Sequence, residues 1–267
     1  MAIKKRWAKR KIKRDQQKKA EYVKANSTRI INNTDDFATL ESYRAARTNI
    51  MFSLPDEKAC KKLIITSAMQ GDGKTTVAIN LALIFAKTNL KVLLIDADLR
   101  LPMVHTYLNV KNGFGLSDVL VGRADVKDAI VQTSGVDIIT AGHIPQNPAE
   151  LLASDAMTTL VNELSVNYDY IFIDTPPVGI LVDAMEILKP ASGVILVVRQ
   201  KNTLHRAVHS AIVALEFAKA KICGFILNDS DLIKYHYKKR KYSTYQYHYN
   251  YNYYGNPKQN IRQHPGV

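Results

Sequence analysis

Cysteine is almost missing from this chain of 267 residues. Cys60 and Cys223 are the only two, so no disulfide framework is available, and a chain of this size without one is expected in a reducing cytosol. Long apolar runs are missing too. A stretch such as ASGVILVV at 191–198 falls far short of the roughly 18–20 residues that cross a bilayer, so no transmembrane segment is expected. The charged N-terminus also lacks the apolar core and small-residue cleavage site of a signal peptide. Acid is what the two ends lack. Residues 1–24 hold 11 Lys/Arg against Asp15 and Glu21, and residues 234–267 hold 7 Lys/Arg and no acid, within a total of 37 basic and 24 acidic residues. The net charge of +13 therefore lives in two arms around a slightly acidic middle, which excludes a uniformly basic nucleic-acid-binding body. With 46% hydrophobic and 23% charged residues, a wholly disordered or fibrous chain is excluded as well. The basic N-terminal arm has two readings: a solvated extension without a partner, or attraction to an anionic surface, membrane leaflet or nucleic acid.

What is present is organised. Residues 34–54 read as an amphipathic helix, with Thr34 or Asp35 as N-cap and Pro55 past its end. At about 100° per residue Phe37, Leu40, Arg44, Arg47, Met51 and Leu54 share one stripe, which puts two arginines in an otherwise apolar face. From residue 62 short β-rich runs alternate with longer helical spans: 62–67, 91–96, 136–140, 170–174, 193–198 and 222–227. Nearly continuous apolar strands joined by such crossovers predict an α/β fold, a mostly parallel sheet covered by helices on both faces.

Directly after the first strand comes SAMQGDGKTTVAINLALIFA. Gly71 and Gly73 allow a tight turn whose amides point at a phosphate, and the helix N-terminus that follows adds partial positive charge. Lys74 would neutralise the β- and γ-phosphates of a nucleotide, and Thr75 would offer its hydroxyl to Mg²⁺. The strict pattern has glycine six positions before the lysine, where this chain has Ala68. Asp96, Asp98 and Asp174 each follow an apolar strand, and ligands of open parallel sheets bind at the carboxyl ends of the strands. Mg²⁺ takes oxygen ligands and keeps several waters, which suits Thr75 and Asp174 with phosphate oxygens and leaves the Asp96/Asp98 pair spare. A carboxylate that accepts the proton of an attacking hydroxyl is of use to a phosphotransferase, so the spare pair hints at a kinase.

The combination of GDGKTT, LLIDADLRLP, FIDTPP, the ESYRAAR helix and a tyrosine-rich C-terminus resembles the bacterial tyrosine kinases, in particular the cytoplasmic kinase of Gram-positive capsule and exopolysaccharide clusters. The resemblance implies a P-loop NTPase fold, binding of ATP with Mg²⁺, and phosphate transfer to tyrosine. It implies that Gly71, Asp72, Gly73, Lys74, Thr75 and Thr76 form the nucleotide-binding loop, with Arg199 and Asn228 near the base or in a structural role. Asp96 would be the catalytic base and Asp98 a contributor to the metal or its water shell, both alongside Lys74 as catalytic residues. Asp174 would complete the metal site with Thr75. Arg100 stays open between phosphate contact and structure. Glu41, Arg44 and Arg47 match the family's ExxRxxR motif, which joins subunits into a ring; the alternative is an intrahelical Glu41–Arg44 pair worth about 0.2–0.5 kcal/mol.

Nine of the 14 tyrosines lie between Tyr235 and Tyr254. The resemblance makes Tyr242, Tyr245, Tyr247, Tyr249, Tyr251, Tyr253 and Tyr254 phosphoacceptors, and tethering gives them a high effective concentration. A reach of 17 residues from Asn228 to Tyr245 is up to roughly 56–61 Å, enough for a neighbour's site in a ring. The expected organisation is a basic extension at 1–33, one kinase domain at 34–230 with the oligomerisation helix at 34–54, and a flexible tyrosine-rich tail at 231–267. Expected partners are further copies of the chain, a membrane-anchored polysaccharide co-polymerase that activates it and recruits it to the inner face of the membrane, and a cognate tyrosine phosphatase, with no specific nucleic acid. Two alternatives stand: a positioning ATPase of the ParA/MinD type, against which Met69 occupies the place of that group's signature lysine, and a non-enzymatic nucleotide-gated assembly factor for polysaccharide export.

Overall fold

The central strands alternate between two cores. In β1 (Lys61–Ser67), Leu63 and Ile65 face one side while Ile64 faces the other, and β2 (Val92–Asp96), β5 (Tyr170–Asp174) and β6 (Gly193–Arg199) repeat the alternation with apolar residues on both faces. Strands apolar on both sides must be covered on both, which requires helices above and below. The computed structural model describes residues 29–31, 37–54, 59–178, 187–188 and 190–230. The chain divides into two units, Met1–Asp231 and Leu232–Val267, and every described residue lies in the first.

On one face lie α1 (Phe37–Ser53) and α2 (Lys74–Ala86), and on the other α7 (Asp155–Leu164) and α8 (His205–Phe217). Every residue of α2 from Thr75 to Phe85 is buried, because the helix is wedged between the sheet and α1. Phe85 anchors its end against Tyr170 and Phe172, with ring centroids 4.5 and 5.2 Å away. Shorter helices α3 (Val104–Tyr107), α4 (Leu116–Leu120), α5 (Val126–Ala129) and α6 (Pro148–Ala153) fill the connections between β2 and α7.

All six expected strands form, with ends moved by no more than one residue, and a seventh joins them. The sheet order is β3-β4-β2-β5-β1-β6-β7, parallel throughout except at β3 (Ile130–Thr133), which runs antiparallel to β4 (Val136–Ile139). The hairpin turn is Ser134–Gly135, with φ of 52° and 82°. Positive φ at both central residues is the turn whose twist matches a hairpin, and this dipeptide was the available signal for the extra edge strand. β7 (Ile222–Asn228) closes the other edge.

Two expectations for the N-terminal part are corrected. Over most of its length the buried face of α1 is rotated by about one residue step of 100° from the expected stripe: Phe37 is 61% exposed and Met51 44%, whereas Ile50 is buried and Tyr43 and Ala46 pack, half-buried, against the same core; Leu54, just past the helix, is buried as expected. The rotation keeps the flexible, charged Arg44 out of the core, since burying an unpaired guanidinium costs more than exposing two apolar side chains. The packed body also begins before residue 34. The Ile31 amide donates to Asn80 Oδ1 at 2.8 Å, Asn80 Nδ2 donates to the Arg29 carbonyl at 2.9 Å, and Ile31 is buried. A buried amide in the middle of α2 thus holds the segment entering α1 by both its hydrogen-bonding directions. Asn80→Leu keeps the volume but leaves the buried Ile31 N–H without a partner and removes the bond to the Arg29 carbonyl, so the unfolding free energy falls by about 1–3 kcal/mol. Urea titration of the two proteins checks this.

Candidate active site

Strand order brings the acids together. β5 lies between β2 and β1, and Asp96 pairs in register with Asp174 at the carboxyl ends of their strands, while β1 runs straight into the loop before α2. In that loop Gly71 and Gly73 have φ of 87° and 92°, a conformation that L side chains rarely adopt. Ala68, where the strict pattern has glycine, is buried in the core. α2 starts at Lys74, so the ammonium group and the helix N-terminus emerge facing the two carboxyl strand ends.

Lys74 Nζ donates to Asp98 Oδ2 at 2.7 Å and stands 3.3 Å from Thr75 Oγ1 and 3.7 Å from Asp174 Oδ1. Asp98 Oδ1 accepts the Leu101 amide. Asp96 accepts two backbone amides, Asp98 at 3.2 Å and Val104 at 3.1 Å, which fix its carboxylate. Asp174 differs: it is fully buried and neither oxygen has a hydrogen-bond partner of normal geometry. Burial pushes Asp96 well above the usual carboxylate range, and the charge of Asp174 adds to the effect while Lys74 opposes it. Burial likewise lifts Asp174 to about 6 against the pull of Lys74 and the Thr75 hydroxyl. For Lys74 burial works against the charge, but Asp174 and Asp98 outweigh it and the group is raised, so it stays an ammonium ion. One cation beside three buried acids leaves the site short of positive charge.

That deficit, with two unpartnered oxygens on Asp174, is the donor set a hard divalent cation fits. Among the described residues no three His, Cys, Asp or Glu side chains converge into a metal cluster of their own. Thr75, Asp174 and Asp98 are thus a partial set that phosphate oxygens and water would complete, which suits Mg²⁺ better than a metal held by protein alone.

Thr76 is buried on α2. Arg199, at the end of β6, donates to the Gly71 carbonyl at 3.2 Å and is held by Asp229 at 2.8 Å. Asn228, at the end of β7, donates to the Asp72 carbonyl at 2.8 Å. Both stand behind the loop, as parts of its support. Asp72 itself is fully buried, with its carboxylate engaged by the protein.

A second knot of loops went unread in the sequence. Buried Asp118 accepts the Gly115 and His143 amides and the His143 ring, and Asn112 exchanges two hydrogen bonds with Gly142. A Cβ on Gly115 would lie 2.3 Å from the Thr140 carbonyl oxygen, and one on Gly142, at φ 75°, would lie 2.2 Å from Asp118 Oδ2. The two glycines were the signal. Gly142 lies in the loop that leaves β4 beside the carboxyl end of β2, and Gly115 packs against it, so the knot braces the side of the site next to Asp96.

Comparison with known proteins decides the family. A family profile described as an AAA domain matches residues 60–221. Tyrosine-protein kinase YwqD of Bacillus subtilis is 42% identical over 73% of this chain and 83% of its own length, and the putative tyrosine-protein kinase CapB of Staphylococcus aureus is 35% identical over 73% and 86%. The chain belongs to the bacterial tyrosine-protein kinases. Solved structures agree: the kinase domain of the Escherichia coli tyrosine kinase ETK superposes with a TM-score of 0.70 at 34% identity, covering 79% of this chain and 80% of that one. The septum site-determining protein MinD from Pyrococcus horikoshii, complexed with Mg-ADP, gives a TM-score of 0.54 at 30% identity over 63% of this chain and 70% of that one. The P-loop architecture is therefore shared with positioning ATPases, while tyrosine kinases are the better match in shape.

Two further groups of expected residues lie away from the acids. On α1, Arg44 pairs with Glu41 in the open, whereas Arg47 is half-buried and donates to the Ile84 carbonyl at 2.9 Å. Ile84 is in the last turn of α2, so Arg47 satisfies a carbonyl left over at a helix C-terminus. The tyrosines expected as acceptors, Tyr242 to Tyr254, lie outside the described residues. Among the described residues no helix is long and apolar enough to cross a membrane.

Proposed function

We propose that this tyrosine kinase uses ATP and Mg²⁺ to phosphorylate tyrosines of its own C-terminal cluster in trans, within an oligomer. ATP supplies the γ-phosphoryl group. Asp96 accepts the tyrosyl proton as the new O–P bond forms, and the bond from the γ-phosphorus to the β,γ-bridging oxygen breaks to release ADP. Lys74 offsets charge on the phosphates, and Thr75, Asp174 and Asp98 are the residues that would hold Mg²⁺, which would neutralise phosphate charge. The observation that carries the reading is the surplus of acid. Thr75 with Asp174 is enough for a metal, and the two amides that orient Asp96 leave it capacity for a further proton. Glu41 and Arg44, exposed on α1, are the contact to a neighbouring subunit, with Arg47 supporting the helix from behind.

By the resemblance already described, the kinase controls capsular or exopolysaccharide synthesis. A membrane-anchored co-polymerase activates it and recruits it to the inner face of the membrane, and a tyrosine phosphatase reverses the modification. The second reading, a MinD-like ATPase, has the shared fold in its favour. Against it, Met69 packs on the apolar core at the position where that group carries its signature lysine.

The test is incubation of the purified full chain, with a cytoplasmic fragment of its membrane partner, in Mg²⁺ and labelled ATP, followed by mass spectrometry of residues 235–254. Phosphate on those tyrosines is expected. ATP hydrolysis with an unmodified tail would overturn the kinase reading in favour of the ATPase.

A further inference from the structure

Asp72 is the one acid in the phosphate loop, and its placement is at odds with a role toward phosphate. A carboxylate directed into an anion cradle would repel its ligand. Here it is fully buried and turned toward the rear of the loop. Oδ2 accepts the Met69 amide at 2.9 Å, closing the loop on itself, while Oδ1 accepts the Thr203 hydroxyl at 2.7 Å and the Asn202 amide side chain at 3.2 Å. Thr203 Oγ1 in turn accepts the Arg199 backbone amide at 2.8 Å, so the chain of bonds runs from the end of β6 into the loop.

The backbone is held from the same side. Arg199 takes the Gly71 carbonyl and Asn228 takes the Asp72 carbonyl. In a trans peptide the N–H points opposite to the preceding C=O. Fixing these two carbonyls rearward therefore turns the amides of Asp72 and Gly73 forward, into the cradle. Asn228 lies so close to Gly73 that a Cβ there would meet its Nδ2 at 2.1 Å. The support leaves room for glycine alone.

We propose that Asp72 and Thr203 form a latch that fixes the phosphate loop in its anion-binding shape, making both positioning residues for the nucleotide. The residues between β6 and α8 thereby set nucleotide affinity without touching the phosphates. This inference rests on the nucleotide-binding reading given above.

The test measures ATP affinity with Mg²⁺ present by calorimetry, together with KM for ATP, kcat and thermal midpoint, on the full chain. Thr203→Val keeps shape and removes the hydroxyl; Thr203→Ser restores it. With the buried Oδ1 short of a partner, Thr203→Val is expected to weaken ATP binding and raise KM by about tenfold with kcat within about twofold, and Thr203→Ser to return both to wild type. Asp72→Asn should weaken binding similarly, and the double variant by less than the product of the single effects. A merely structural threonine would shift the thermal midpoint of Thr203→Val and leave affinity and KM unchanged, which overturns the latch. So does a double variant whose losses multiply. Wild-type protein that binds no ATP refutes the nucleotide reading itself, a result distinct from both.

Discussion

Asp96→Asn is expected to lower phosphate transfer to tyrosine by roughly two to four orders of magnitude, the range general-base removal produces, while ATP affinity stays within about threefold. The split follows from geometry. In the proposed reading Lys74, Thr75 and the loop amides carry the nucleotide, and Asp96 makes no hydrogen bond to any of them; its partners are the amides of Asp98 and Val104. Those two bonds fix the carboxylate, and burial among other acids raises its proton affinity, so it accepts a phenolic proton more readily than a solvated aspartate would. Asparagine keeps the shape but places an NH₂ where one oxygen accepts a backbone amide. A modest loss of stability is therefore expected, and circular dichroism should show the variant folded. Activity retained above about a tenth of wild type in a folded, nucleotide-binding variant would remove Asp96 from the chemistry.

Most of this architecture was legible because it is written in short-range patterns. Apolar runs such as YIFID have no soluble alternative to a buried parallel strand, and GDGKTT permits few backbones other than a phosphate loop. Where patterns were weak, tertiary contacts decided. The face of α1 depended on where Tyr43 and Arg47 could find space and partners on α2, which no periodicity encodes. β3 is short, half-exposed and marked only by Ser134–Gly135, so its pairing with β4 is a property of the turn. The site divided along the same line. Lys74, Asp96, Asp98 and Asp174 were readable because each follows directly on a strand or the loop. The support was not: Asp72 meets Thr203 across 131 residues and Asp118 meets His143 across 25, and only the folded sheet order makes them neighbours.

The second large effect runs in opposite directions for stability and for activity. Asp174→Asn is expected to abolish transfer to below roughly a hundredth of wild type, since the proposed metal site would lose its buried carboxylate, and yet to stabilise the metal- and nucleotide-free protein. Asp174 has no hydrogen bond of normal geometry to lose, and what the neutral isostere gives up, the pull of the Thr75 hydroxyl and of Lys74, 3.7 Å away and bonded to Asp98, is outweighed by relief of a buried negative charge. Burial raises the folded-state value from 3.8 to about 6. The folded protein then holds this proton more tightly than the unfolded chain, so wild-type stability is greatest below pH 4 with respect to this group and declines as pH rises to about 6, then levels off. The variant lacks that decline. Urea denaturation in chelator should show the two proteins alike near pH 4 and the variant ahead by about 2–3 kcal/mol above pH 6.5. Added Mg²⁺ and nucleotide should reverse the order by binding only the wild type. A variant less stable than wild type at pH 7 without metal would mean that the Asp174 charge is satisfied by the fold itself, and that its two open oxygens are not being kept for an ion.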